Sequence, residues 1–451
     1  MTAVHAAKAL LPGGWASDVR VTTANGSIRS VELDCQPEPG DERCETLLPG
    51  MPNLHSHAFQ RGMAGRAEVR GLTVDSFWTW REVMYRFALT MSPDQVEAVA
   101  ALAYMEMLES GFTRVGEFHY LHHHRDGLPY DDIAEMATRI AAASVRTGIR
   151  LTLLPVFYAH ATFGGAPPFP QQQRFINDLD TFVLLVEASS TTIAGLDGAV
   201  LGIAPHSLRA VTPGELDGLL EMAPDGPIHI HVAEQEKEVA DCLAWSGQCP
   251  VEWLLDHAPV DERWCLVHAT YMTDHETIAL AGSGGVAGMC PVTEANLGDG
   301  TFPAPVFLAS GGRYGIGTDS NVRIGVTGEL RQLEYTQRLD RRARNVLSTG
   351  GVPTGRSMFD AAFRGGQQAL GVPAAGGITI GAPSDLVALA AGTWVGDDGD
   401  ALLNGWIFAR GVAVDRVWVA GREVVSGGRH IHRDGIAGQF HSTMRELLGL
   451  T

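Results

Sequence analysis

The sequence predicts an α/β protein built as a distorted (β/α)8 barrel, with a small β-sandwich domain formed by the two ends of the chain. Three observations predict it. Eight short apolar runs, near residues 47–52, 114–118, 150–156, 200–205, 228–233, 264–268, 285–290 and 314–318, alternate with longer helical patterns. That is the pattern of buried parallel strands in repeated βα units. Histidines and an aspartate stand at the ends of several of these runs, where a barrel gathers its reactive groups. Short stretches of alternating polarity occur at both chain ends, at 19–22 and 28–33 and again at 386–389 and 414–421.

Taken in order, residues 1–48 and 380–430 are expected to form the β-sandwich domain, 49–379 the barrel and 431–451 a C-terminal helix. The apolar stretch 96–108 is broken by Glu97 and Glu106 and reads as an amphipathic helix; residues 164–173, rich in Gly, Pro and Gln, read as a surface loop. No internal repeat or low-complexity tract is present.

Of 451 residues, 45% are hydrophobic and 19% charged, the balance of a globular protein with a sizeable core. The 53 glycines suit a chain with many tight connections. The net charge of −19 disfavours a nucleic-acid or anionic-membrane partner, which would need clustered Lys and Arg. An anionic substrate would have to be met by a few local arginines. Six cysteines with no C-x-x-C pair argue for reduced thiols and a cytoplasmic protein. Cys265 and Cys290 read as buried small hydrophobes. The opening residues lack a signal-peptide pattern, and no stretch reaches the ~20 apolar residues that span a bilayer.

The chemistry is carried by four motifs. His55-Ser56-His57 closes the first run, and residues two apart in an extended segment face the same side, so both imidazoles can meet one ion. Such pairs are also common on surfaces. His231, in His229-Ile-His-Val-Ala-Glu234, ends the fifth run and His268 the sixth; either alone reads as a satisfied core histidine. Asp319 follows the eighth run, where an acid can also be a helix N-cap. Jointly, three histidines and an aspartate at the mouths of the right strands favour a metal site. Neutral imidazoles with one carboxylate suit Zn2+ or another borderline divalent ion, with a position left for water.

His55-Ser56-His57, His231-Val-Ala-Glu234, Val267-His268 and Gly317-Thr-Asp-Ser320 resemble the amidohydrolase superfamily, in its mononuclear deaminase and chlorohydrolase-like branch, over the whole chain. The resemblance implies one divalent ion per chain, Zn2+ in the first instance, held by His55, His57, His231 and Asp319, with Glu234 and His268 as proton-transfer groups beside Asp319. It implies a homodimer and gives His229 no role, leaving it structural. By itself Glu234 reads as a solvated helix-start carboxylate; three residues past His231 it is placed to protonate a leaving amine.

Segments 54–65, 77–85, 116–123 and 204–210 resemble more narrowly those members that hydrolyse N-formimino-L-glutamate in histidine degradation. The resemblance implies that Arg81 binds the α-carboxylate of a small dicarboxylate substrate and that Gln60, Tyr120, His206 and Arg209 surround the rest. Most arginines serve surface salt bridges, but two near strand ends of an acidic protein are fitting bidentate partners for a dicarboxylate. His122, His123 and His124 read as loop residues. Two readings compete: a deaminase of the same superfamily acting on a nucleobase or other heterocycle, and a catalytically silent barrel serving as an interaction protein.

Overall fold

The structure is a computed structural model and describes residues 2–70, 75–223, 225–348, 350–372, 377–395 and 399–450. The chain opens with strands β1 (Thr2–Leu11), β2 (Gly14–Ala24), β3 (Ser27–Glu32) and β4 (Glu42–Pro49). Nine parallel strands follow: β5 (Met51–Ser56), β6 (Phe112–His119), β7 (Arg150–Phe157), β8 (Val200–Leu201), β9 (Ala204–Pro205), β10 (Ile228–Val232), β11 (Trp264–His268), β12 (Val286–Met289) and β13 (Arg313–Ile316). The end of the chain adds β14 (Leu386–Ala390), β15 (Ala413–Val419), β16 (Arg422–Ser426) and β17 (Arg429–His430).

Both chain ends meet in one eight-stranded sheet of order β17-β16-β15-β14-β4-β1-β2-β3. The expected union of the two ends is therefore present as a single continuous hydrogen-bonded sheet. Strand alternation divides its residues between two cores. Leu47, Leu386, Ala388 and Trp418 pack with Val4, Val19 and Val21 in a core of the sheet's own, whereas Leu48, Val387, Leu389, Val417 and Val419 join the main core of the molecule.

The parallel strands form two sheets, β5-β6-β7-β8 with β9 on β7, and β10-β11-β12-β13. Isolated parallel bridges link them on both sides, Ser56 to Asp319 on one and Ile203 to Ile228 and Ser207 to His231 on the other. All eight apolar runs contribute strands here, with two corrections. The run 47–52 is not one strand: β4 ends in the terminal sheet at Pro49 and β5 starts at Met51. Between them Gly50 passes so close to Thr113 that a Cβ would lie 2.2 Å from its Oγ1. No polar residue marks this change of sheet in the sequence. The run 200–205 is two short pieces that both pair with β7; between them the Ile203 amide donates instead to Pro227 O, beside the start of β10.

The helix expected at 96–108 spans Pro93–Glu109 and is capped by Ser92 and Gln95 in reciprocal hydrogen bonds. It is buried nearly all round rather than amphipathic, since the C-terminal helix Arg433–Leu447 packs on it from outside. Glu97 and Glu106 are accommodated by ion pairs to Arg139 and Arg61. No helix among the described residues is long and apolar enough to cross a membrane.

Candidate metal centre and adjoining cleft

Strand geometry brings four side chains to one point. His55, on β5, and His57, just beyond it, turn to the same side, with their Nε2 atoms 3.2 Å apart. His231 on β10 places its Nε2 3.1 Å from that of His55. Asp319, just past β13, sets Oδ1 3.2 Å from His57 Nε2 and 3.6 Å from His55 Nε2. The approach of these strands depends on Gly317, where a Cβ would lie 2.8 Å from both the Cβ and the carbonyl oxygen of His55. Asp319 itself has φ 44° and His268 φ 68°, left-handed conformations that cost a non-glycine residue roughly 1–3 kcal/mol. The His57 amide donating to Asp319 O and the Asp319 amide donating to His55 O hold the first of these in place.

The hydrogen bonds fix the tautomers. His57 Nδ1 donates to Phe118 O at 3.0 Å and His231 Nδ1 donates to His206 O at 3.1 Å. A carbonyl only accepts, so each Nδ1 carries its proton and each Nε2 turns a bare lone pair inward. His55 Nδ1 is buried without a partner among the described residues, and a proton on His55 Nε2 could satisfy only one of the surrounding acceptors. Lone pairs and a carboxylate packed at these distances repel unless a cation lies among them. The four donor atoms all lie within 4.8 Å of one another, and this donor set fits a divalent metal ion, with the imidazoles of His57 and His231 oriented by backbone carbonyls. Burial lowers the pKa of His57 and His231 and takes His55 to about 3, so all three are neutral, the form in which imidazole ligates. Burial would raise the Asp319 pKa, but the His55 hydrogen bond and the adjacent His57 and His268 hold it below the usual carboxylate range.

His268, at the end of β11, stands beside the quartet, its Nε2 3.8 Å from Asp319 Oδ2 and 3.8 Å from Glu234 Oε1. Its Nδ1 lies 3.3 Å from Glu294 Oε1. Burial opposes its charge, yet Glu234, Glu294 and Asp319 together push its pKa up. Glu234 is pushed up in turn by burial, against the pull of His268 and Arg209.

The quartet opens into a cleft walled by strand-end residues and by the helix Phe77–Thr90. All five residues expected around a substrate line it. Gln60 donates to Tyr120 OH at 2.8 Å and keeps a buried Oε1 with no partner. His206 packs against Tyr158 with ring centroids 4.5 Å apart and the planes tilted by 60°. Arg81 lies over the rings of Trp78 and Tyr85, at 4.6 and 5.5 Å, with its Nε unpartnered among the described residues. Arg209 is 7% exposed, and its nearest acceptors are Glu234 Oε2 at 3.7 Å and Glu238 Oε1 at 3.9 Å, both beyond hydrogen-bond reach. Two guanidinium groups therefore face one cleft with donors unspent.

Sequence reasoning missed part of this wall. Phe77, Trp80, Met84 and Tyr85 line the cleft from the helix Phe77–Thr90, and their 3–4–1 spacing is a helical stripe that was readable. Tyr158 directly follows β7, the position at which a strand-end rule would have found it. Glu238 and Glu294 carried no signal, since acids near the start of a helix are ordinary. His229 is bonded to Ala369 O at 2.7 Å and stands outside the quartet. His122 and His123 are loop residues as expected, but buried, tying the loop after β6 to Val156 O and Asn177 Oδ1. Cys265 and Cys290 are buried, with burial pushing both thiols up into the neutral form.

Comparison with known proteins bears on this arrangement. The Amidohydrolase family profile matches residues 46–424, and that described as Formimidoylglutamate deiminase HutF, N-terminal domain, matches residues 1–45. The chain is 50% identical to the formimidoylglutamate deiminase of Pseudomonas aeruginosa, over 99% of this chain and 100% of the relative. The crystal structure of an amidohydrolase from Brucella melitensis superposes with TM-score 0.98 at 57% identity, covering 99% of this chain and 100% of that one. An adenosine deaminase from Xanthomonas campestris, solved with bound zinc, shares the fold at TM-score 0.81 and 22% identity, over 99% and 98% of the two chains.

Proposed function

The chain belongs to the amidohydrolase family, and from that membership we propose that it hydrolyses N-formimino-L-glutamate to N-formyl-L-glutamate and ammonia, a step of histidine degradation. The observation that carries the substrate is the pair of arginines, Arg81 and Arg209, in the cleft that ends on the His55, His57, His231 and Asp319 quartet. One arginine for each carboxylate of a glutamate derivative accounts for both. Arg81 takes the α-carboxylate, and Gln60, Tyr120, His206 and Arg209 surround the rest.

His55, His57, His231 and Asp319 would hold one divalent ion, Zn2+ in our reading, which when bound lowers the pKa of water towards neutrality. The protein's own groups do the remainder. Asp319 accepts a proton from the attacking water while His268, held at Nδ1 by Glu294, donates from Nε2 to orient the attacking oxygen. Water adds to the formimino carbon. Glu234, on the other side of His268, gives a proton to the imino nitrogen as the water oxygen adds and recovers one from the resulting hydroxyl; the proton taken up by Asp319 passes to the same nitrogen, so that the C–N bond breaks to ammonia and the carbon keeps the oxygen as a formyl group. The amidine is cationic when protonated, which suits a carboxylate neighbour.

A heterocyclic substrate would leave two arginines that face the cleft, Arg81 and Arg209, without work, and a silent barrel would have no reason to keep the quartet with Glu234 and His268. We read the two parallel sheets as one distorted (β/α)8 barrel over residues 49–379, and the terminal sheet, 1–48 with 380–430, as folded into a β-sandwich, with 431–451 as a separate helix. We further take the protein to act in the cytoplasm as a homodimer, for which light scattering on purified protein is the check.

The test is ammonia release by zinc-loaded protein given N-formimino-L-glutamate beside nucleobases and N-formimino-glycine. Release confined to the dicarboxylate is the expected result. Turnover of a nucleobase alone would overturn the substrate assignment.

A further inference from the structure

Glu238 occupies the first turn of the helix Glu236–Ser246, where an acid ordinarily needs no more explanation than the helix dipole. Glu236, on the same turn, is exposed and fits that explanation; Glu238 is 0% exposed and does not. One of its oxygens, Oε2, accepts from the backbone amide of Glu234 at 3.1 Å. The other, Oε1, has no hydrogen-bond partner among the described residues and lies 3.9 Å from Arg209 Nε, which likewise has none among them. Two opposite charges thus sit buried face to face, too close to ignore each other and too far apart to spend the guanidinium's donors.

We propose that Glu238 is a positioning residue that aims the guanidinium of Arg209 into the cleft while anchoring the backbone that carries Glu234. The idea rests on the functional reading above, in which Arg209 meets a substrate carboxylate and Glu234 meets the reacting nitrogen. A carboxylate behind Arg209 offsets its buried charge and limits its rotation, leaving the outward N–H groups for the ligand. Because Oε2 holds the Glu234 amide, the distance between the anion-binding and proton-transfer ends of the cleft is set by one side chain.

The experiment is a double-mutant cycle on the full-length zinc-loaded enzyme. Glu238→Gln retains an oxygen for the Glu234 amide but removes the negative charge facing Arg209. Its KM for N-formimino-L-glutamate and its Kd for N-formyl-L-glutamate, read by calorimetry, should rise about tenfold with kcat within about threefold, mid-range for coupled neighbours. Adding Glu238→Gln to Arg209→Met should then change neither constant by more than about twofold. A wild-type KM in Glu238→Gln, or the same penalty with and without Arg209, would overturn the proposal. Should Glu238→Gln not fold, Glu238→Asp, which keeps the charge and shortens the reach, is run through the same cycle. Absence of ammonia release by the wild type counts against the functional reading alone, since the coupling is also read from the binding of glutarate, a dicarboxylate that is not turned over.

Discussion

Replacing Glu234 with Gln separates chemistry from metal binding. Glu234 is not one of the four converging residues, and its carboxylate touches the quartet only through His268, 3.8 Å away. The substitution keeps the side chain's volume and leaves its backbone amide bonded to Glu238. Arg209 loses one flanking carboxylate at 3.7 Å and keeps the other at 3.9 Å, so a change in KM reports on Arg209 and the diagnostic constant is kcat. On the proposed mechanism, what is lost is the proton for the leaving nitrogen. General acid catalysis is worth about 10²–10⁴ in rate, so kcat should fall by that factor, about 3–5 kcal/mol of barrier. The assay is steady-state ammonia release, with metal content by elemental analysis and a thermal melt on the same preparation. A variant that retains its metal and turns over within tenfold of wild type would refute the assignment.

Three further outcomes follow from the same geometry. Chelation should lower the melting temperature and added Zn2+ restore it, by about 4 kcal/mol of stability at a thousandfold excess over Kd; a melt indifferent to chelator would count against a metal at the quartet. Burial pushes Glu117 up from the ordinary 4.5 to about 8, so it is protonated when folded and ionised when unfolded between those values. Its contribution is fully present below 4.5 and lost as pH rises through 8, and Glu117→Gln should flatten that decline in denaturation curves; parallel slopes for the two proteins would contradict it. Leu54, 0% exposed and packed against Gly116, Gly288 and Gly315 inside the parallel sheets, should cost about 3–5 kcal/mol as Leu54→Ala, and a urea titration showing under 1 kcal/mol would mean the site collapses freely.

The parts of this molecule that were legible in the sequence are those where local pattern and tertiary position coincide. His55, His57, His231, His268 and Asp319 each terminate an apolar run, so strand periodicity alone brought them to one rim. The terminal sheet was legible through the alternation at 19–22 and 414–421, where Val19 and Val21 serve one core and Val417 and Val419, either side of Trp418, the other. Boundaries between sheets were not, because β4 and β5 are separated by a single glycine in an unbroken apolar stretch and β8 and β9 by two residues. The supports of the site were hidden for another reason. Glu238 and Glu294 act across the fold on residues distant in sequence or turn, while their local setting already explains an acid. The helix Pro93–Glu109 shows the opposite case, in which two glutamates suggested a wet face that ion pairs to Arg61 and Arg139 make unnecessary.

The isolated bridge between Ser56 and Asp319 joins the first of the parallel strands to the last. Asn53 and Thr318, hydrogen-bonded there at 2.7 Å, are 265 residues apart along the chain. During synthesis His55 and His57 emerge early and have no Asp319 to meet until most of the polypeptide has been made. Loop closure over such a separation comes late in folding. The quartet is thus a record of completion: a chain stalled or cut before Asp319 has three of the four donors and no seam, and capture of an ion at full strength is confined to molecules in which the last strand has docked on the first.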